Sequence, residues 1–170
     1  MELKELYEKT IELFDAKDAE ELKNHLMDAS NDDEKKKAFC QLVNDDLSKD
    51  WLQMVYQYYL ADRKEKKQDY TPKSIAQLMG RLAGDADVCV DLCAGSGALT
   101  IQKWMQKPDQ KFELYELDEN VIPFLLFNLS IRNISADVFR ADVLQDEIYD
   151  AWEVKKGEQF AKVTHLQPAL

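Results

Sequence analysis

Val88-Cys89-Val90-Asp91-Leu92-Cys93-Ala94-Gly95-Ser96-Gly97 is the stretch that decides the fold. Valine at alternate positions favours a strand. The two glycines then let the chain turn sharply and approach a ligand without a Cβ in the way, before a helix opens near Ala98. In an open α/β sheet such a turn lies at the carboxyl end of a strand, where ligands bind. A Gly-x-Gly turn alone is equally compatible with a purely structural tight turn.

Downstream of this stretch, short β-branched or aromatic runs alternate with helical ones. Strands are expected over Val88–Asp91, Phe112–Glu116, Ala136–Arg140 and Ala161–His165. Helices are expected over Ala98–Lys107, Glu119–Asn133 and, as a short one, Leu144–Trp152. The alternation predicts an α/β fold with a parallel sheet and helices on its faces. Upstream, in Asp69-Tyr70-Thr71-Pro72, Thr71 is a good N-cap and Pro72 a good first helical residue. The spacing predicts a helix over Ser74–Leu82 with Ile75, Leu78, Met79 and Leu82 on its inner face.

The first 62 residues contain neither Gly nor Pro, and their apolar positions follow a helical period. Leu3, Leu6, Tyr7, Ile11 and Phe14 form one stripe; Leu22 and Leu26, then Phe39, Leu42 and Val43, then Trp51, Leu52, Val55, Tyr56 and Tyr59 mark three more helices. Asp18 with Glu21, and Asn31 with Glu34, have capping-box spacing. The run Arg63-Lys64-Glu65-Lys66-Lys67 reads as a solvated basic linker. The expected organisation is a helical segment over 1–62, a linker over 63–69 and an α/β domain over 70–170.

A chain of 170 residues supports one compact domain with a helical extension. Its 45% hydrophobic and 32% charged content is that of a folded globular protein. The net charge of −11 opposes strong solitary binding to nucleic acid, because affinity for phosphate rests on clustered Lys and Arg. The longest apolar run, Val121 to Phe127, contains Pro123 and is far short of the ~20 residues of a membrane span. With no secretory signal at Met1-Glu2-Leu3-Lys4-Glu5, the expected location is the cytoplasm. Cys40, Cys89 and Cys93 are an odd number and lack metal-ligand spacing with either histidine, so reduced thiols and no metal are expected.

The chemistry of the turn can be narrowed further. A dinucleotide site would want a small residue where Thr100 stands, and Asp91 would set a carboxylate beside two phosphates. An acid at the strand tip suits a cationic ligand, and S-adenosylmethionine carries an ammonium and a sulfonium. Glu116, in Glu116-Leu117-Asp118 at the end of the second expected strand, can accept both ribose hydroxyl protons. Asp118 and Glu119 fit equally well as caps of the next helix. Asp142, just past the third strand, has the position to bond the amino edge of adenine, or simply to cap a turn. A hydroxyl at Thr71 and free N–H groups at a helix start suit the carboxylate of the same ligand.

Tyr-Thr-Pro at 70–72, Asp-x-x-x-Gly-Ser-Gly at 91–97, Glu-Leu-Asp at 116–118 and Asp-x-Leu at 142–144 resemble, in order and spacing, the amino-methylating adenine DNA methyltransferases. The likeness is greatest to the M subunits of type I restriction-modification systems. Phe127-Asn128-Leu129 with Ile131 resembles a further stretch of that family. The resemblance covers roughly residues 68–145 and implies a Rossmann-like class I S-adenosylmethionine-dependent methyltransferase fold. It assigns Thr71, Asp91, Gly95 and Gly97 to the methionine moiety, Glu116 to the ribose and Asp142 to the adenine. Their neighbours Tyr70, Cys93, Ser96, Leu117 and Val143 are implied to line the same cofactor site. Residues 1–62 resemble, in shortened form, the family's helical N-terminal domain that helps engage DNA.

There are departures from the pattern. Leu92 and Cys93 stand where the family has Pro and Ala. The family's catalytic motif, Asn or Asp followed by Pro-Pro and an aromatic residue, holds a flipped adenine and follows the fourth strand. That position reads His165-Leu166-Gln167-Pro168-Ala169-Leu170, where Gln167 and Pro168 are at best degenerate counterparts. A sheet of four strands leaves an edge exposed for a partner, through a homo- or hetero-oligomer. The leading expectation is therefore the S-adenosylmethionine-binding portion of a DNA adenine methyltransferase, weak or inactive alone and engaging DNA with a partner subunit. The alternative is a non-catalytic regulatory subunit that pairs with a complete methyltransferase. A third reading, methylation of a small molecule or protein, would use Tyr56, Tyr58 and Tyr59 as pocket residues.

Overall fold

The computed structural model describes residues 1–60, 71–84 and 86–166. The basic linker, Tyr70, Gln167 and Pro168 lie outside the described residues.

Four helices come first: α1 (Leu3–Leu13), α2 (Ala19–Ala29), α3 (Asp33–Leu42) and α4 (Trp51–Tyr59). Aspartates start three of them. Asp18 accepts from the Glu21 amide, Asp32 from the amides of Glu34 and Lys35, and Asp50 from the Gln53 amide. The cap of α3 is thus one residue later than the spacing suggests. Asn31 is used elsewhere: its side-chain amide pairs with both N–H and C=O of Val163.

The remaining elements are α5 (Lys73–Leu82), β1 (Val88–Asp91), α6 (Ala98–Gln106), β2 (Lys111–Glu116), α7 (Ile122–Ile131), β3 (Ser135–Asp142), β4 (Glu147–Lys155) and β5 (Lys162–Leu166). They form one five-stranded sheet in the order β1-β2-β3-β4-β5. The pairs β1–β2 and β2–β3 are parallel, whereas β3–β4 and β4–β5 are antiparallel. The α/β class and the Rossmann-like start hold, but the sheet is mixed rather than parallel.

The expected helix over Leu144–Trp152 is instead the start of β4. Asp146, at φ 55°, turns the chain after β3. Trp152 and Val154 are then buried with the period of two that a sheet face demands. A window this short could not separate that period from a helical one. One consequence is that the last expected strand, β5, lies beside β4 at the far end of the sheet from β1.

Helix α7 is buried along its whole length, as a helix apolar on every side must be. Val121, Phe124, Phe127 and Ile131 join Phe14, Phe39, Leu52 and Tyr56 in a core shared with the N-terminal helices. Ile122, Leu125, Leu126 and Leu129 face Phe112, Leu114, Ala136 and Val138 of the sheet. Two cores therefore meet on one ten-residue helix.

Helix α5 differs from its expected orientation. It buries Ala76 and Gly80 against α6, while Ile75, Leu78, Met79 and Leu82 are exposed. A Cβ on Gly80 would lie 3.3 Å from the Lys103 amide nitrogen, so the absence of a side chain permits this close approach. Periodicity marks an apolar stripe, but it does not say which side finds a neighbour. Met79 of this stripe shares a cavity with Cys89 and Val90 of β1, which pairs only with β2 among the described residues, and Val88 and Val90 are exposed.

Candidate functional site

The parallel strands bring three chain reversals to one end of the sheet. At the tip of β1, Asp91 accepts from the Cys93 amide at 3.2 Å, and the chain turns through Gly95 (φ 54°) and Gly97 (φ 97°) into α6. Gly97 donates to Ala94 C=O at 2.9 Å, and Ala94 donates to Tyr115 C=O at 2.9 Å, which ties the turn to β2. Glu116, at the tip of β2, accepts the Gly95 amide on Oε2 and the Asp118 amide on Oε1, both at 2.8 Å.

Asp91 and Glu116 are carboxylates without a cationic partner among the described residues. Burial pushes the Asp91 carboxyl up, only partly offset by the Cys93 amide. Burial also pushes up Glu116, against the amides of Asp118 and Gly95, and the neighbouring Asp118 charge adds to the rise. Holding two acids in this state costs stability, which a cationic or hydroxyl-bearing ligand relieves.

Beyond Glu116 lies an open cavity of about 540 Å³ lined by Glu116, Leu117, Asp118, Glu119, Asn120, Arg140 and Tyr149. Sequence reasoning singled out neither Asn120 nor Arg140 nor Tyr149 among these. Arg140 pairs with Glu119 at 2.7 Å, and its guanidinium lies 5.2 Å from the centre of the Tyr149 ring. Tyr149 falls where the β3–β4 register shifts: Arg140 opposes Asp150 and Ala141 opposes Ile148. Such a bulge re-aims the side chain of the extra residue. Arg140 was within reach of sequence analysis, since it ends the expected strand Ala136–Arg140 as Asp91 ends Val88–Asp91; Tyr149 was not, once its segment read as a helix.

The other expected site residues divide into groups. Asp91, Cys93, Gly95, Ser96, Gly97, Glu116 and Leu117 gather at the tips of β1 and β2. Cys93 and Leu117 are exposed there, and Ser96 is buried, its hydroxyl turned inward onto Asp50 at 2.7 Å. Thr71 lies in a cavity of about 200 Å³ with Lys49, Asp50, Ala98 and Gln102. It does not cap α5: Pro72, expected as the first helical residue, stands at the N-cap instead, with no side-chain cap. Asp142 caps the β3–β4 turn, accepting from the amides of Leu144 and Gln145, and Val143 sits in that turn. Tyr56 is core, edge-on to Phe124, while Tyr59 stacks on Tyr7 at 3.8 Å and Tyr58 is exposed.

Among the described residues no cluster of His, Cys, Asp and Glu could hold a metal ion, and no helix is long and apolar enough to cross a membrane. Residues 45–164, more than half of the chain, match the family model described as N-6 DNA Methylase. The match begins ahead of α4 and so includes its cap, Asp50. No curated protein and no solved structure matches.

Proposed function

Because the chain belongs to the N-6 DNA methylase family, we propose that it binds S-adenosylmethionine across the tips of β1 and β2 as the cofactor-binding portion of a DNA adenine methyltransferase of the restriction-modification type. The observation that carries this is the pair of half-buried carboxylates, Asp91 and Glu116, on either side of the Gly95–Gly97 turn, neither with a cationic partner among the described residues. When bound, the cofactor supplies an electrophilic methyl group on sulfur. Asp91 meets the charge of the methionine end, with Thr71 near the start of α6 for its carboxylate. Glu116 takes the ribose hydroxyls, each of its oxygens keeping a lone pair beyond the amide it already accepts. The adenine enters the cavity beyond, against Leu117, Arg140 and Tyr149, with Asp142 two residues past Arg140 at the end of β3.

The residues that hold the target adenine are not in this constellation, and the chain is acidic. A partner subunit then supplies most of the contact with DNA, because a net charge of −11 opposes strong solitary binding to phosphate. Calorimetric titration with S-adenosylmethionine tests the cofactor reading. Micromolar binding that Asp91→Asn weakens is expected, and no heat at millimolar ligand would overturn it.

A second reading, a non-catalytic regulatory subunit, is favoured by the exposed stripe Ile75, Leu78, Met79 and Leu82 beside the open edge of β1. Apolar side chains gathered beside unpaired strand edges mark a surface that another polypeptide covers. Methylation assays on the complex purified from the native host separate the two. Loss of activity when Glu116 is replaced supports the first reading; unchanged activity supports the second.

A further inference from the structure

The cofactor turn is held from behind by a residue of the N-terminal segment. Asp50 caps α4, for which one carboxylate oxygen suffices and exposure to water is normal. Here the side chain is buried, 8% exposed, and both oxygens are engaged. Oδ1 accepts from the Gln53 amide at 2.8 Å and from Asn128 Nδ2 at 2.9 Å. Oδ2 accepts the Ser96 hydroxyl at 2.7 Å, across 46 positions of sequence.

The same Asn128 Nδ2 reaches Ser96 C=O at 2.9 Å, so Ser96 is gripped by side chain and backbone together. Asn128 is in turn fixed by Arg132, whose Nη1 donates to Asn128 Oδ1 and to Asn128 C=O, each at 2.9 Å. Arg132 also donates through Nε to Leu47 C=O at 2.9 Å and through Nη2 to Lys49 C=O at 2.6 Å. Burial pushes its guanidinium down to about 10, which leaves it a cation at neutral pH. The network joins three separate pieces of chain: the loop before α4, the last turns of α7 and the glycine turn.

A buried charged network of this kind is weak evidence for stability, because well-packed apolar residues often do as well. What it secures is position. Ser96 stands between Gly95 and Gly97, the two residues with the widest backbone freedom, both at positive φ. Fixing Ser96 removes most of that freedom before any ligand arrives. We propose that Asp50 is a positioning residue for the cofactor turn, holding Gly95–Gly97 in its ligand-ready form through Ser96 and Asn128, so that the N-terminal segment contributes to cofactor affinity. The affinity part of this inference rests on the cofactor reading above; the holding of the turn does not.

Ser96→Ala in the full chain is the informative variant, because Asp50 keeps Gln53 and Asn128 as partners and neither glycine is touched. Amide hydrogen exchange is measured on ligand-free protein, and S-adenosylmethionine affinity by calorimetry. Faster exchange confined to residues 94–98, with α7 unchanged, is expected, together with about tenfold weaker binding if the turn is ligand-ready a tenth of the time. Asp50→Asn retains the shape of the site and falls between wild type and Ser96→Ala in both measurements. Unchanged exchange at the turn overturns the proposal, and so does an increase spread evenly over the whole protein. Unchanged affinity in a wild type that binds overturns its affinity part. If the wild type does not bind, the cofactor reading fails, and the exchange pattern alone decides whether Asp50 holds the turn.

Discussion

Gly95 donates its amide to Glu116 Oε2 at 2.8 Å, so the tip of β2 fastens the turn that leaves β1. The other oxygen of that carboxylate takes the Asp118 amide, and one side chain orders two neighbouring loops. Glu116→Gln turns one acceptor into a donor facing an N–H. A loss of about 1–3 kcal/mol in stability is expected from the amide left without a partner. Denaturant unfolding checks this, and calorimetry is expected to show cofactor affinity falling by at least tenfold, on the order of 1.4 kcal/mol.

Protonation of Asp91 and Glu116 sets the pH dependence. Both carboxyls are raised by burial above their ordinary values of 3.8 and 4.5. Their contribution to folding is thus complete below those values and is lost as pH rises through the raised ones. The proposed ligand requires the opposite, the charged forms. Affinity is expected to fall as pH drops through the raised values, with protons released on binding there. Titrations in buffers of different ionisation enthalpy, carried downward in pH until the protein begins to unfold, measure this; an affinity unchanged over that whole span would remove both acids from the site.

Gly97 has φ 97°, and a Cβ there would stand 3.0 Å from Leu125 Cδ1. Gly97→Ala therefore meets backbone strain and a packed neighbour together. A loss of about 1–2 kcal/mol is expected from the left-handed backbone alone, read by chemical denaturation, with cofactor binding reduced further because the turn moves away from Leu125.

Phe127 sits edge-on to both Phe14 and Phe39, with centroids 5.3 and 5.4 Å away. Phe127→Ala is expected to cost about 3–5 kcal/mol. Because α7 also carries the residues that pack on the sheet, the N-terminal helices and the sheet are expected to unfold in one transition. Circular dichroism and tryptophan fluorescence followed together test this; separate midpoints would show two independent units.

Tyr149 lines the cavity proposed above for the adenine ring. Tyr149→Ala is expected to weaken binding of an adenosine-containing fragment by about 0.5–1.5 kcal/mol, while Tyr149→Phe leaves it nearly unchanged because the ring, not the hydroxyl, makes the contact. Competition titrations with methylthioadenosine measure it.

Local sequence was enough to determine β1, the glycine turn after it, the cap at Asp18 and the parallel start of the sheet. Each of these depends on neighbours within a few residues, where propensity, turn chemistry and alternation act directly. The tertiary structure decided the rest. Residues 147–155 pair as a strand because β3 offers an edge and α7 a surface for Trp152 and Val154, which no short window contains. Helix α5 turned its small residues inward because α6 approaches closely at Gly80, leaving the larger ones outside. Asp50 caps α4 within its own stretch of chain, and only folding brings Ser96 and Asn128 to it from 46 and 78 positions away. Patterns along the chain report the period of an element; which face is covered, and by what, is fixed only when distant segments compete to bury their surfaces and pair their polar groups.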